Sequence, residues 1–164
     1  MRRKGKIKVG TSLVDLPGYT KKLPATDGEE RSLSQYRDES AVVLFFFPLA
    51  HSRHCTKEVC EFRDKFDQFQ DVGAQVLGIS SDSGDKLKQF AESQRAQYPL
   101  LSDAKGALRK ELKVKGTLFG LLPGRETYVI SKEGVVLLRF NDAIGWKKHV
   151  QQSLEVLQQQ QQQP

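Results

Sequence analysis

The residues with the most chemistry in them lie in one short stretch, His51-Ser52-Arg53-His54-Cys55-Thr56-Lys57-Glu58-Val59-Cys60, which holds both cysteines of the chain. Two cysteines are too few for the disulfide framework of a small secreted scaffold, so they read as free thiols, a metal pair or a redox pair. Cys55 is placed to open a helix. A thiol at a helix N-terminus faces unpaired backbone N–H groups and the positive end of the dipole, both of which favour thiolate, and Arg53 beside it pushes the same way. The plain alternative for Cys55 is a small buried hydrophobe. Cys60 falls on the same predicted helix, and C-x4-C at a strand-loop-helix junction suits a redox couple. His51, His54, Cys55 and Cys60 nominally make four zinc ligands. On a regular helix, however, residues five apart point about 140° away from each other, which argues against convergence on one ion. The two histidines read as solvated loop residues.

These residues need elements to hold them. Ala41 to Phe47 is a continuous apolar, β-branched and aromatic run, expected as a central strand buried on both faces. Ala74 to Ile79, Thr127 to Ile130 and Val135 to Phe140 read as further strands, the last two joined by a turn at Lys132-Glu133-Gly134. Val59, Phe62, Phe66 and Phe69 recur at helical spacing and predict one apolar face on the helix that follows Cys55. Ser83 is a predicted N-cap for a helix carrying Leu87, Phe90 and Ala91, and Trp146, Val150, Leu154 and Leu157 predict a closing helix. This β-α-β-α then β-β-α order predicts an α/β, thioredoxin-like sandwich: a central mixed sheet flanked by helices, with parallel pairing early and a hairpin late. Turn signals at Pro17-Gly18 and Asp27-Gly28 predict an N-terminal hairpin or extended segment.

At 164 residues the chain reads as one domain spanning 11–157, between a basic arm at 1–10 and a disordered Gln-rich tail at 158–164. The net charge of +6 belongs largely to the arm, where Arg2, Arg3, Lys4, Lys6 and Lys8 cluster, leaving a body near neutral: the pattern is a basic arm, not a basic nucleic-acid-binding face. The arm lacks acidic residues, as organelle transit peptides do, but is short and has no serine enrichment. No apolar run approaches the ~20 residues of a membrane span. A soluble, intracellular protein is expected. No Gly-rich phosphate loop is present, so no nucleotide, flavin, haem or metal cofactor is expected.

Pro48, Ser52 and Cys55 match the pattern P-x3-[T/S]-x2-C, and Thr56-Lys57-Glu58-Val59-Cys60-Glu61-Phe62-Arg63-Asp64 follows it. These residues resemble the peroxiredoxin Q (bacterioferritin comigratory protein) subfamily of peroxiredoxins. The segment Phe119 to Ile130 resembles the part of that subfamily that carries its active-site arginine, and the likeness runs from about Ser32 to Leu157. The resemblance implies a thioredoxin-like fold and reduction of hydrogen peroxide and organic hydroperoxides. Cys55 would be the peroxidatic thiol, Cys60 the resolving partner in an intramolecular disulfide, and Ser52 and Arg125 the donors that hold the peroxide. It further implies recycling by a thioredoxin-like reductant, a monomer, and a plastid location if the source is photosynthetic. The chain departs from the subfamily's usual T-P-G-C by reading Ser52-Arg53-His54-Cys55, which keeps the hydroxyl but changes loop stiffness and charge.

Ionisation alone cannot make an efficient peroxidase. A thiol of ordinary pKa is only ~3% thiolate at neutral pH, so complete ionisation raises the reactive fraction by at most ~30-fold. Nucleophilicity also falls as pKa falls. Positioning and charge stabilisation during O–O cleavage must supply the rest, and Arg125 and Ser52 have the donors for it. Two other classes stay open: a thiol-disulfide sensor or chaperone-like binding module that uses the same cysteines, and a nucleic-acid-associated protein acting through the N-terminal arm.

Overall fold

The structure is a computed structural model that describes residues 7–114 and 124–162. Its N-terminal segment runs through a short helix α1 (Pro17–Thr20), a two-stranded hairpin of β1 (Leu23–Pro24) and β2 (Glu30–Arg31), and a 3₁₀ turn at Leu33–Tyr36. Gly28, at φ +87°, turns the hairpin in a conformation that other residues rarely adopt.

The apolar run becomes β3 (Ala41–Phe46), the middle strand of a five-stranded sheet. It pairs in parallel with β4 (Ala74–Ser80), which pairs in parallel with β5 (Leu100–Ser102). On its other edge β3 pairs antiparallel with β6 (Glu126–Ile130), and β6 with β7 (Val136–Asn141), giving the order β5-β4-β3-β6-β7. Side chains alternate across a strand. Val43, Phe45 and Phe47 therefore enter one core, whereas Val42, Leu44 and Phe46 enter another. The first core includes buried residues of α2 (Arg53–Asp64), α3 (Phe66–Asp71), α4 (Gly84–Gln94) and α6 (Trp146–Gln162). The second lies under the N-terminal segment and α5 (Ala107–Glu111). The mixed sheet flanked by helices is thus the predicted thioredoxin-like architecture.

Several details differ from the sequence reading. The Phe-faced helix is broken at Lys65 (φ −102°, ψ 7°), so Val59 and Phe62 lie on α2 and Phe66 and Phe69 on α3. Phe62 and Phe69 still meet, with ring centroids 5.6 Å apart, because both point into the first core. The Gln-rich tail, expected to be disordered from Gln158, is helical to Gln162: α6 is anchored by buried Val150, Leu154 and Leu157, and glutamine is a good helix former that lets the helix continue. The basic arm ends earlier than Gly10. Ile7 is buried in the second core and the Gly10 N–H bonds the Val136 carbonyl at 2.8 Å. Neither β5 nor α5 was predicted, since three and five residues are too few to show a period.

Candidate active site

The chain leaves β3 through a loop that is pinned at its middle. The Ala50 N–H donates to Asp82 Oδ2 at 2.7 Å, and Asp82 is itself held by the Ser80 hydroxyl at 2.7 Å. His51 takes the left-handed conformation (φ 65°), and its ring lies 5.0 Å from that of Phe90. Ser52 is then the extended N-cap residue of α2, with the Thr56 N–H on its carbonyl at 2.9 Å. Cys55 falls in the first helical turn, as expected from the sequence, and is fully buried.

Arg125 immediately precedes β6, the antiparallel neighbour of β3, and this register brings it over the start of α2. All three of its nitrogens donate: Nη2 to Cys55 Sγ at 3.1 Å, Nη1 to Glu58 Oε1 at 2.9 Å, and Nε to the Ala143 carbonyl at 2.9 Å. Burial alone disfavours its charge, but Glu58 and Cys55 outweigh that and hold its pKa above the ordinary arginine value. Cys55 and Arg125, seventy residues apart, are therefore brought together. The segment Phe119 to Pro123, part of the stretch that singled out Arg125, lies outside the described residues.

Glu58 was not singled out from the sequence. It sits three residues after Cys55, hence on the same helix face, and it is fully buried. Its Oε2 accepts no hydrogen bond from any described residue and lies 3.9 Å from Nδ1 of His149, on α6. Burial pushes the Glu58 carboxyl up to about 7, with the Arg125 charge and hydrogen bond opposing it. His149 is likewise fully buried. Its Nε2 stands 2.8 Å from the Asp142 carbonyl and its Nδ1 2.8 Å from Thr127 Oγ1. A carbonyl can only accept, so Nε2 carries the proton and Nδ1 accepts from the threonine hydroxyl. Burial lowers the His149 pKa to about 4, against the pull of the Asp142 carbonyl and with Arg125 adding to the drop. A signal for both residues existed: Glu58 adjoins Val59 on an apolar helix face, and His149 adjoins Val150 on another. Polar groups at core positions of this kind need partners.

The remaining residues singled out from the sequence are placed differently. Cys60 is half-buried on the far side of α2, where its thiol donates to Gln94 Oε1 at 3.2 Å. Its face is thus that of α4, not that of Arg125. The Ser52 hydroxyl donates to the Leu49 carbonyl at 2.9 Å and makes no hydrogen bond to Cys55. His54 is not a loop residue: it lies in the first turn of α2, with its ring 5.5 Å from that of Trp146 and Lys57 Nζ 4.5 Å over the same indole. No group of three or more metal-ligating side chains converges among the described residues. None of the described helices is long and apolar enough to cross a membrane. What the arrangement can do is stabilise negative charge on a buried sulfur and on an oxygen next to it, through a fixed guanidinium.

Comparison with known proteins agrees with this picture. Residues 16–139 match the AhpC/TSA family. The chain is 43% identical over 142 residues to Peroxiredoxin Q, chloroplastic, of Sedum lineare, covering 87% of this chain and 75% of that protein. It is 42% identical over 142 residues to the protein of the same name from Populus jackii, again over 87% of this chain, and spans 65% of that relative's length. Among solved structures, Peroxidoxin BcpB from Mycobacterium tuberculosis superposes with a TM-score of 0.82 at 37% identity, covering 93% of this chain and 97% of that one.

Proposed function

The chain belongs to the AhpC/TSA family and, within it, to the peroxiredoxin Q subfamily, and from that premise and the site's geometry we propose that it is a thiol peroxidase that reduces hydroperoxides with Cys55. The observation that carries the reading is the Arg125 Nη2 donor 3.1 Å from a buried Cys55 Sγ at the start of a helix. In the proposed reaction the Cys55 thiolate attacks the distal peroxide oxygen, the O–O bond breaks, and the alkoxide or hydroxide leaves with a proton as alcohol or water. Cys55 is left as a sulfenic acid. The guanidinium, already charged and fixed by Glu58 and the Ala143 carbonyl, needs no reorganisation to stabilise the departing oxygen.

Cys60 then condenses with the sulfenic acid to give the Cys55–Cys60 disulfide and water, and a thioredoxin-type dithiol reduces that disulfide. We read the working unit as a monomer, since the resemblance implies one and Cys55, Glu58 and Arg125 meet without a residue from a second copy. The subfamily's plant relatives are named chloroplastic, which supports a plastid site if the source is photosynthetic. The Ser52 hydroxyl would have to leave the Leu49 carbonyl to contact a bound peroxide.

The test is hydroperoxide consumption coupled to thioredoxin and its reductase. Cys55→Ser is expected to abolish turnover, whereas Cys60→Ser is expected to allow one rapid oxidation of Cys55 and then stall. Sustained turnover in Cys55→Ser would overturn the assignment.

A further inference from the structure

Arg125 is braced from two directions, and only one of them is α2. Its head is planar, so once Nη1 and Nε are both held the direction of Nη2 is set as well. Glu58 holds Nη1, and the Ala143 carbonyl holds Nε at 2.9 Å. Ala143 lies in the short connection from β7 to α6, and the register that sets Glu126 opposite Asn141 carries that connection alongside Arg125. The Ala143 residue is exposed, so its own side chain does nothing to keep its carbonyl turned inward.

We propose that His149 is a positioning residue for the peroxide-reducing step: through Asp142 it fixes the turn that carries the Ala143 carbonyl, and so aims Arg125 Nη2 at Cys55. The inference rests on the roles of Cys55 and Arg125 proposed above. His149 Nε2 donates to the Asp142 carbonyl at 2.8 Å, one peptide before the carbonyl that Arg125 uses. The Asp142 carboxylate grips the next peptide from its other end. Its Oδ1 accepts the N–H groups of Ile144 at 3.1 Å and Gly145 at 2.9 Å, and the Ile144 N–H belongs to the same peptide as the Ala143 carbonyl. With one peptide held by His149 and the next by Asp142, the Ala143 carbonyl is left facing Arg125.

His149 is itself fixed. It lies in the first turn of α6, a helix anchored in the first core by Val150, Leu154 and Leu157, and the Phe140 ring meets its imidazole edge-on at 4.8 Å. The Thr127 hydroxyl donates to Nδ1 at 2.8 Å, which leaves the ring proton on Nε2, where the Asp142 carbonyl needs it. Thr127 follows Arg125 by two residues and so shares its face of β6. The bonds therefore close a circuit that runs from Arg125 through Ala143, Asp142, His149 and Thr127 and back along β6 to Arg125. An apolar side chain would fill the same space; what it would lack is the donor to Asp142.

The experiment uses the full chain carrying Cys60→Ser, so that Cys55 is the one thiol left. Two rates are measured at Cys55: oxidation by hydrogen peroxide in stopped flow, and alkylation by iodoacetamide, which breaks no O–O bond and does not call on Arg125 to stabilise a departing oxygen. His149→Leu should slow oxidation about tenfold, as loss of support for one charge-assisted hydrogen bond would, and change alkylation far less. In an Arg125→Ala background His149→Leu should slow oxidation no further, because a residue that acts through another adds nothing once that other is gone. Asp142→Ala, at a half-buried position, should show the same pattern, and it decides alone if His149→Leu does not fold. No slowing of oxidation, equal slowing of both reactions, or slowing that persists in full without Arg125 overturns the brace and leaves the Cys55 assignment standing. If Arg125→Ala by itself leaves oxidation unchanged, the role proposed for Arg125 falls and the brace falls with it.

Discussion

Replacing His149 by glutamine should reshape the acid stability of the protein in a way that follows from one buried ring. His149 is fully buried, and burial lowers its pKa to about 4, below the ordinary value of about 6.5. The unfolded chain therefore takes up a proton in a range where the folded chain refuses it. The stability this group contributes is complete above pH 6.5 and is lost as pH falls through 4. The loss amounts to about 1.4 kcal/mol at pH 5.5 and about 3 kcal/mol at pH 4. Glu58 runs the other way: its carboxyl is raised to about 7, so its contribution is complete below pH 4.5 and lost as pH rises through 7. In the wild type the two contributions nearly cancel between pH 4.5 and 6.5. By pH 5 Glu58 has taken up its own proton, so no carboxylate charge is left to meet an imidazolium at Nδ1, 3.9 Å away. At pH 7 His149→Gln should be the less stable protein, since it disturbs the hydrogen bonds to Thr127 and Asp142, by about 1–3 kcal/mol. Urea unfolding of both proteins at pH 7, 5.5 and 4 is the measurement, because all other titrations are common to the two and drop out of the difference. The gap should shrink or reverse by about 3 kcal/mol on going to pH 4. A gap that stays constant with pH would refute the reasoning, since it would mean that His149 titrates alike in the folded and unfolded chains.

Other expectations are as direct. Arg125→Ala should slow sulfenic acid formation by at least about a hundredfold, the usual effect of removing a donor to a developing oxyanion. Ser52→Ala, whose hydroxyl rests on the Leu49 carbonyl, should slow it much less; stopped-flow peroxide oxidation ranks the two, and the reverse order would refute the assignment. Hydrogen exchange across Thr56 to Glu61 should be slower in the dithiol than in the disulfide form, and equal protection would show that α2 need not unwind. Gly78→Ala would place a methyl 2.6 Å from Leu100 Cδ2 and 2.8 Å from Phe45 Cζ, and Phe45 cannot retreat because it stacks on Phe62 at 4.3 Å. It should cost about 1–3 kcal/mol, read from the urea midpoint; an unchanged midpoint would show that the core adapts.

Local chemistry was legible from the residues themselves. A run such as Ala41 to Phe47 has no polar face to offer water, so it had to become the buried central strand. Ser83 did cap α4, accepting the Lys86 N–H at 3.3 Å, because capping depends on neighbours in sequence. Cys55 at a helix start followed from the same short-range logic. Arg125 was reached through a resemblance; nothing in its spacing announces that β6 lies beside β3 and delivers it to Cys55. Long-range contacts decided the rest. Glu58 and His149 looked like ordinary polar residues on helices, and only the packing of α6 against α2 turned them into a fully buried acid and a fully buried base 3.9 Å apart. Side-chain hydroxyls were just as opaque, since whether Ser52 turns to Cys55 or to Leu49 depends on a loop pinned by Asp82 from another strand's end. Sequence periodicity reports which face a residue occupies, whereas charge state and partner depend on what the fold lays against that face, at distances of a few ångströms and separations of tens of residues.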